Sequence, residues 1–118
     1  QIKLFIYLFI VVIIVAACNK DETVTMRWDL TGCSNPWDSQ ITLDTFTTEA
    51  YHQGIYDYLS SENIQVNYIS SEFDSSKADS CLACHCKTGE IILINIPKRD
   101  KSKLKRLVNN NQFNLVLY

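Results

Sequence analysis

Four cysteines limit what this chain can fold into more than any other feature. The stretch from Asp79 to Pro97, DSCLACHCKTGEIILINIP, crowds Cys81, Cys84, His85 and Cys86 together and runs straight into an apolar segment, while Cys33 stands far upstream. A domain this small buries a modest core and gains from covalent or metal staples. The residue types fit four chemistries: two disulfides, a thiolate metal site, a redox pair, or a thioether-linked haem. Each needs its own compartment and its own surrounding elements, so those decide between them.

The N-terminus speaks to compartment. In QIKLFIYLFIVVIIVAAC, Lys3 is a short basic flank and Leu4 to Ala17 an unbroken apolar run. A membrane span needs ~20 such residues. A shorter run that follows a basic residue and ends in small ones reads as a secretory leader. Val15-Ala16-Ala17-Cys18 resembles a bacterial lipobox. The resemblance implies cleavage before Cys18 and acyl chains on its sulfur and amino group. Several acyl chains anchor a protein firmly to a membrane where one is marginal. Asn19-Lys20-Asp21-Glu22 is similar to the surface-export signal of Bacteroidota lipoproteins, which implies display on the outer face of the outer membrane. The chain opens on Gln1, so a residue or more is expected ahead of it. The expected organisation is a leader over 1–17, the lipidated Cys18 and a tether over 18–22, and a single α/β domain over 23–118.

Charge excludes one class of partner. Lys3 accounts for one of the 11 basic residues, and the remainder face 13 acidic ones. Phosphate binding needs a clustered excess of cations, so nucleic acid is not an expected partner. With Cys18 taken by lipid, Cys33, Cys81, Cys84 and Cys86 are an even set in an exported protein, a pattern that favours disulfides.

The elements follow from periodicity. Val24, Met26, Trp28 and Leu30 alternate with Thr25, Arg27 and Asp29, which predicts a strand with one buried face. The loop GCSNPWD turns at Asn35-Pro36. Thr47 to Ser61 reads as a helix capped by Thr47, with Ala50, Tyr51, Ile55, Tyr58 and Leu59 as its apolar stripe. Gly54 weakens that helix by ~1 kcal/mol relative to Ala. Ile64, Val66 and Tyr68 alternate as a second strand, and a polar stretch leads into the cysteines. Lys87 to Glu90 reads as a turn in which Gly89 can take a positive φ. Glu90 to Ile96 is a third strand, apolar on both faces and therefore central. Pro97 opens a helix over Lys98 to Val108, and Phe113, Leu115 and Leu117 form a last strand. The order β-α-β-β-α-β suits an α+β, ferredoxin-like sandwich: an antiparallel sheet with two helices on one face. That topology brings the loop after strand one and the connection between strands two and three to the same end, so Cys33 is expected beside Cys81, Cys84 and Cys86.

The four chemistries can now be weighed. CLACH, Cys81 to His85, matches the c-type haem attachment motif. Here, however, it enters a strand, and its axial partner would have to be Met26 or His52. A redox C-x-x-C wants a helix N-terminus, where the dipole lowers the thiol pKa. A tetrahedral shell from Cys33, Cys81, Cys84 and Cys86, with His85 as a substitute ligand, would select zinc or copper. The element order also resembles heavy-metal-associated domains, whose C-x-x-C follows strand one, where this chain has only Cys33. Four thiolates would have to survive an oxidising compartment. Two disulfides are the favoured reading, each adding ~2–4 kcal/mol. A Cys84–Cys86 bridge is strained, and because strands one and three are neighbours the expected pairing is Cys33–Cys86 with Cys81–Cys84. The segment C-x-x-C-x-C-x-T-G-x-x-I resembles a Cys-rich segment of small Bacteroidota lipoproteins, a likeness that carries no activity with it.

Two further features have plain alternatives. Trp37 in the loop can anchor a ligand, a sugar in particular, or cover a disulfide. The cation-rich run Lys98 to Arg106 can touch lipid head groups or an acidic glycan, or serve as the solvated face of a helix. His52 is expected on the exposed side of its helix. The sequence presents no paired carboxylates, no Ser-His-Asp arrangement and no phosphate loop. The expectation is a non-enzymatic, lipid-anchored binding module with a protein or glycan partner at the Cys33/Trp37/Cys81–Cys86 end or on the open sheet face. Extracytoplasmic metal binding is the alternative, and a haem electron carrier the weaker one.

Overall fold

The structure, a computed structural model, describes residues 1–16 and 21–110. It contains α1 (Ile2–Ala16), β1 (Thr23–Thr31), α2 (Thr48–Ser61), β2 (Tyr68–Phe73), β3 (Lys87–Pro97) and α3 (Lys101–Asn110), with short 3-10 turns at Asp38–Gln40, Ser75–Lys77 and Lys98–Asp100. Cys18 and the expected last strand at Phe113, Leu115 and Leu117 lie outside the described residues.

The expected ferredoxin-like sandwich needs correction. The described strands form a three-stranded antiparallel sheet in the order β1-β3-β2. The second strand is also displaced. Ile64 and Val66 are buried but precede β2. The reason is local: the backbone N–H of Gln65 donates to Asp100 Oδ2 at 2.9 Å instead of to a neighbouring strand. Pairing with β3 starts only at Tyr68, opposite Asn95, and takes in the first four residues of the polar stretch that follows, Ser70 to Phe73. Gly89 does take a positive φ of 89°, but inside β3 rather than in a turn. A Cβ there would lie 3.0 Å from the carbonyl oxygen of Asp74, so the close approach of a second backbone demands glycine.

β1 keeps its predicted alternation: Met26, Trp28 and Leu30 are buried toward the helices. They meet Ile92, Ile94 and Ile96 of β3, Tyr51, Ile55 and Leu59 of α2, and Leu104 and Val108 of α3 in one core. Thr47 caps α2 by accepting from Ala50 N at 3.1 Å. Gly54 has a packing reason that offsets its helix cost. Ile41 lies across it, and a Cβ at residue 54 would sit 2.7 Å from Ile41 Cγ2. On the opposite face, polar and charged side chains surround the buried Ile91 and the half-buried Leu93 of β3. Arg27 pairs with Glu72 across β3, and Asp29 meets Lys87 at 3.2 Å and Lys77 at 3.6 Å. Asn95 donates to Thr25 Oγ1 and accepts from Asn67 Nδ2.

The start of the domain is fastened to the turn before α3. Lys98 N–H donates to Glu22 O at 2.8 Å, Lys98 Nζ meets Glu22 Oε2 at 2.7 Å, and Arg99 meets Asp21 at 3.1 Å. The Lys98 ammonium beside Glu22 holds that carboxyl below its usual range. α1 is different in kind: its described side chains take no part in the core, and Ile2 and Leu4 to Ile10 are all exposed.

Candidate functional site

The sheet brings all four described domain cysteines to one end, as the topology argument requires. β1 runs from Thr23 to Thr31 and ends in a register shift between Asp29 and Thr31. Beyond it the ladder continues irregularly: Gly32 N–H donates to Cys86 O and Cys33 N–H to Cys84 O, both at 3.1 Å. Those bonds set Cys33 against Cys84, with Cα atoms 4.6 Å apart, and a disulfide joins them. Cys86 turns inward, only 3% exposed, and bridges to Cys81 with Cα atoms 5.9 Å apart. Both spans suit unstrained bridges. The expected pairing, Cys33–Cys86 with Cys81–Cys84, is therefore corrected to Cys33–Cys84 with Cys81–Cys86. The shifted register at the end of β1 is the cause.

The pairing settles what the sulfurs can do. While both bridges are closed, none of the four is a thiolate, so no shell of Cys33, Cys81, Cys84 and Cys86 exists to hold zinc or copper. The two cysteines of CLACH are likewise committed to other partners and have no thiol to offer haem. Met26 is buried in the core among aliphatic side chains. The loop itself is pinned at its base without sulfur: Asp79 N–H donates to Lys87 O at 2.9 Å, and Lys87 N–H to Asp79 Oδ2 at 2.7 Å. Its tip is exposed, with Leu82 wholly in solvent and His85 beside it.

Trp37 is buried, not presented at the loop surface. It is 1% exposed, packs edge-on against Trp28 at a centroid distance of 5.8 Å, and donates its indole N–H to Tyr51 Oη at 2.8 Å. Around it lies a polar network that sequence reasoning missed. The Asn35 side chain accepts from Trp28 Nε1 and from Thr31 N–H, and donates to Thr31 O and Asp38 Oδ2. Asp38 also accepts from Asn35 N–H and, at 2.7 Å, from the Tyr51 hydroxyl. Burial, and then the Asp38 carboxylate, push the Tyr51 phenol far above its usual range. Its hydroxyl is thus a permanent donor to Asp38 and an acceptor from Trp37, a structural role that fixes the loop carrying Cys33. The available signal was Asn35-Pro36 followed by Asp38, a turn sequence whose side chains can bond their own backbone.

Beside this network lies an open hollow of about 280 Å³, lined by Leu30, Cys33, Leu43, Phe46 and Tyr51 among others. Phe46 is exposed and stacks at a tilt on Tyr51, with centroids 5.4 Å apart. Phe73, also exposed, sits at the same end of the sheet, opposite Glu90. His52 is half-buried rather than exposed, and its Nε2 has no hydrogen-bond partner among the described residues. No protein-family model, curated protein or solved structure matches this chain, so its chemistry rests on its own residues.

Proposed function

We propose that this chain is an exported lipoprotein whose domain is a non-enzymatic interaction module, anchored through Cys18 and stapled by two disulfides. One observation carries the reading: every described cysteine of the domain is bridged, while the described side chains of the apolar helix α1 ahead of it take no part in the core. Closed bridges suit an oxidising compartment, and an uncovered apolar helix suits a segment that leaves the folded protein. At 15 residues α1 is about 22 Å long. Among the described residues no helix is long and apolar enough to cross a membrane. Cleavage before Cys18 with acylation explains that run better than a span does. The tether sequence Asn19 to Glu22 supports display on the outer surface of the outer membrane of a Bacteroidota-type cell.

The partner belongs at the cysteine-rich end. β1 starts immediately after the tether and carries the chain about 27 Å along its axis to Thr31, two residues before Cys33. That end presents Leu82, Phe46, Phe73 and the hollow, and points away from the anchor. The open sheet face is closed off by its own ion pairs and offers less. A protein or a glycan suits such a surface, with apolar contacts beside the polar rim of Asn35 and Asp38.

The test is metabolic labelling of the native host with an alkyne fatty acid. The protein should take up label and sediment with the outer membrane, and Cys18→Ser should lose both properties. Protease added to intact cells should cut the wild type. A protein that takes up no label and fractionates without the membrane would overturn the anchored reading.

A further inference from the structure

The loop from Cys81 to Cys86 holds a third potential ligand that the disulfides do not use. The Sγ atoms of Cys81 and Cys86 and a ring nitrogen of His85 all lie within 4.8 Å of one another. A tetrahedral zinc ion with Zn–S of ~2.3 Å and Zn–N of ~2.0–2.1 Å needs neighbouring ligand atoms ~3.5–3.8 Å apart. All three atoms are therefore gathered in a volume that suits one ion, and the only bond in the way is the Cys81–Cys86 bridge. We propose that this loop is a redox-gated metal site. Closed, it is a disulfide; opened by a dithiol, it binds zinc or Cu(I) through Cys81, His85 and Cys86. The inference does not depend on the lipid anchor.

The two bridges differ in what they lend the domain. Cys33–Cys84 joins residues 51 apart in sequence, whereas Cys81–Cys86 joins residues 5 apart. The stability a bridge lends the domain grows with the loop it closes, so Cys81–Cys86 is the bridge the domain can open while staying folded. Cys81 is exposed and an attacking thiolate can reach it, as it can reach Cys33 and Cys84. The electron balance is that of thiol–disulfide exchange. The thiolate of a small dithiol attacks Cys81 Sγ, and Cys86 leaves as a thiolate. The second thiol of the dithiol then displaces Cys81 and departs as a cyclic disulfide. The protein gains two thiols, and their protons go to water when the metal binds.

What survives the opening is a prepared loop. Cys33–Cys84 remains, as do the bonds from Gly32 to Cys86 and from Cys33 to Cys84. The Asp79–Lys87 pair still closes the base of the loop, and Cys86 N–H still donates to Ala83 O at 3.0 Å. The ligands are thereby kept close without the bond that joined two of them. Two thiolates and an imidazole favour soft, d10 ions over calcium or magnesium. With Cys81 and His85 both exposed, the fourth position opens to solvent.

The experiment uses the protein purified without reductant and titrated with dithiothreitol. After each step, free thiols are alkylated and located by peptide mass. Co²⁺ is added in parallel as an optical stand-in for zinc, and Zn²⁺ is used to displace it. Cys81 and Cys86 should be the first thiols to appear. That form should bind one Co²⁺ per chain with a thiolate-to-metal absorption band, and the fully bridged form should bind none. His85→Ala changes an exposed side chain and should leave folding intact while weakening Co²⁺ binding by more than about tenfold, since even losing a supporting group around a metal costs that much. Opening of Cys33–Cys84 first, equal binding by the bridged form, or an undiminished affinity in His85→Ala would each overturn the proposal.

Discussion

Replacing Cys33 and Cys84 together by alanine should destabilise the domain clearly more than replacing Cys81 and Cys86. The bridges join residues 51 and 5 apart in sequence. In the chain-entropy account, closing loops of those lengths in the unfolded state contributes about 4 and about 2 kcal/mol at 25 °C. One correction narrows the gap. Cys86 is buried, so its truncation also forfeits packed sulfur, about 1 kcal/mol. Cys33, Cys81 and Cys84 are exposed and need no such term. The expected costs are then about 4 kcal/mol for the long bridge and about 3 kcal/mol for the short one, against a total of ~5–15 kcal/mol for a domain. Urea unfolding followed by circular dichroism measures both. A second signature is independent of the first: freeing the 51-residue loop lets the unfolded chain expand, so the urea m-value should rise for the first pair and hardly change for the second. If the Cys81/Cys86 pair costs more, or the m-value does not separate the two, the loop-length argument is wrong. The bridges would then act mainly through the native state.

Three other perturbations have definite expected outcomes. Gly54→Ala should lose about 1 kcal/mol in thermal melts, because overpacking against Ile41 at ~1–3 kcal/mol outweighs a helix gain of ~1 kcal/mol; with Ile41→Ala already present, the same change should instead stabilise. Tyr51→Phe leaves the buried Trp37 N–H and Asp38 Oδ1 without their shared partner and should cost about 2–3 kcal/mol. The Tyr51 phenol is raised in the folded state, so its contribution is complete below the ordinary tyrosine value of ~10 and is lost as pH rises above it; the variant should lack that part of the alkaline destabilisation. Asp100 is held below the usual carboxylate range, chiefly by the Gln65 N–H. Its contribution is therefore present above ~3.9 and lost as pH falls through the depressed value. The stability difference between wild type and Asp100→Asn should be positive at neutral pH and shrink toward zero in acid.

The local elements were legible because each is written in consecutive residues. The alternation from Val24 to Leu30, the Thr47 cap and the stripe Tyr51, Ile55, Leu59 needed no knowledge of the rest of the chain. The gathering of the cysteines at one end was also legible, since it needs only the direction of successive strands. The pairing was not, because it depends on a two-residue register shift between Asp29 and Thr31 that no composition rule marks. The same holds for the late start of β2, where Asp100, 35 residues further on, claims the Gln65 N–H. Trp37 reads as a ligand anchor or a disulfide cover until Tyr51, 14 residues away, is seen to satisfy its N–H. Gly54 reads as a defect until Ile41 is placed against it.

The Cys33–Cys84 bridge has a mechanical meaning. A pull between the first residue of the domain and the cysteine-rich end runs along the axis of β1. It loads the ladder from Thr23↔Pro97 to Thr31↔Lys87 in shear, so that the bonds must fail together and not one at a time. At the far end of that strand the load meets a covalent bond to the segment leading into β3. β1 therefore cannot slide past its neighbour while the sulfurs stay joined. Tension along this line reaches the β1–β3 pair as a single tied unit, and the slack must come from somewhere else in the chain.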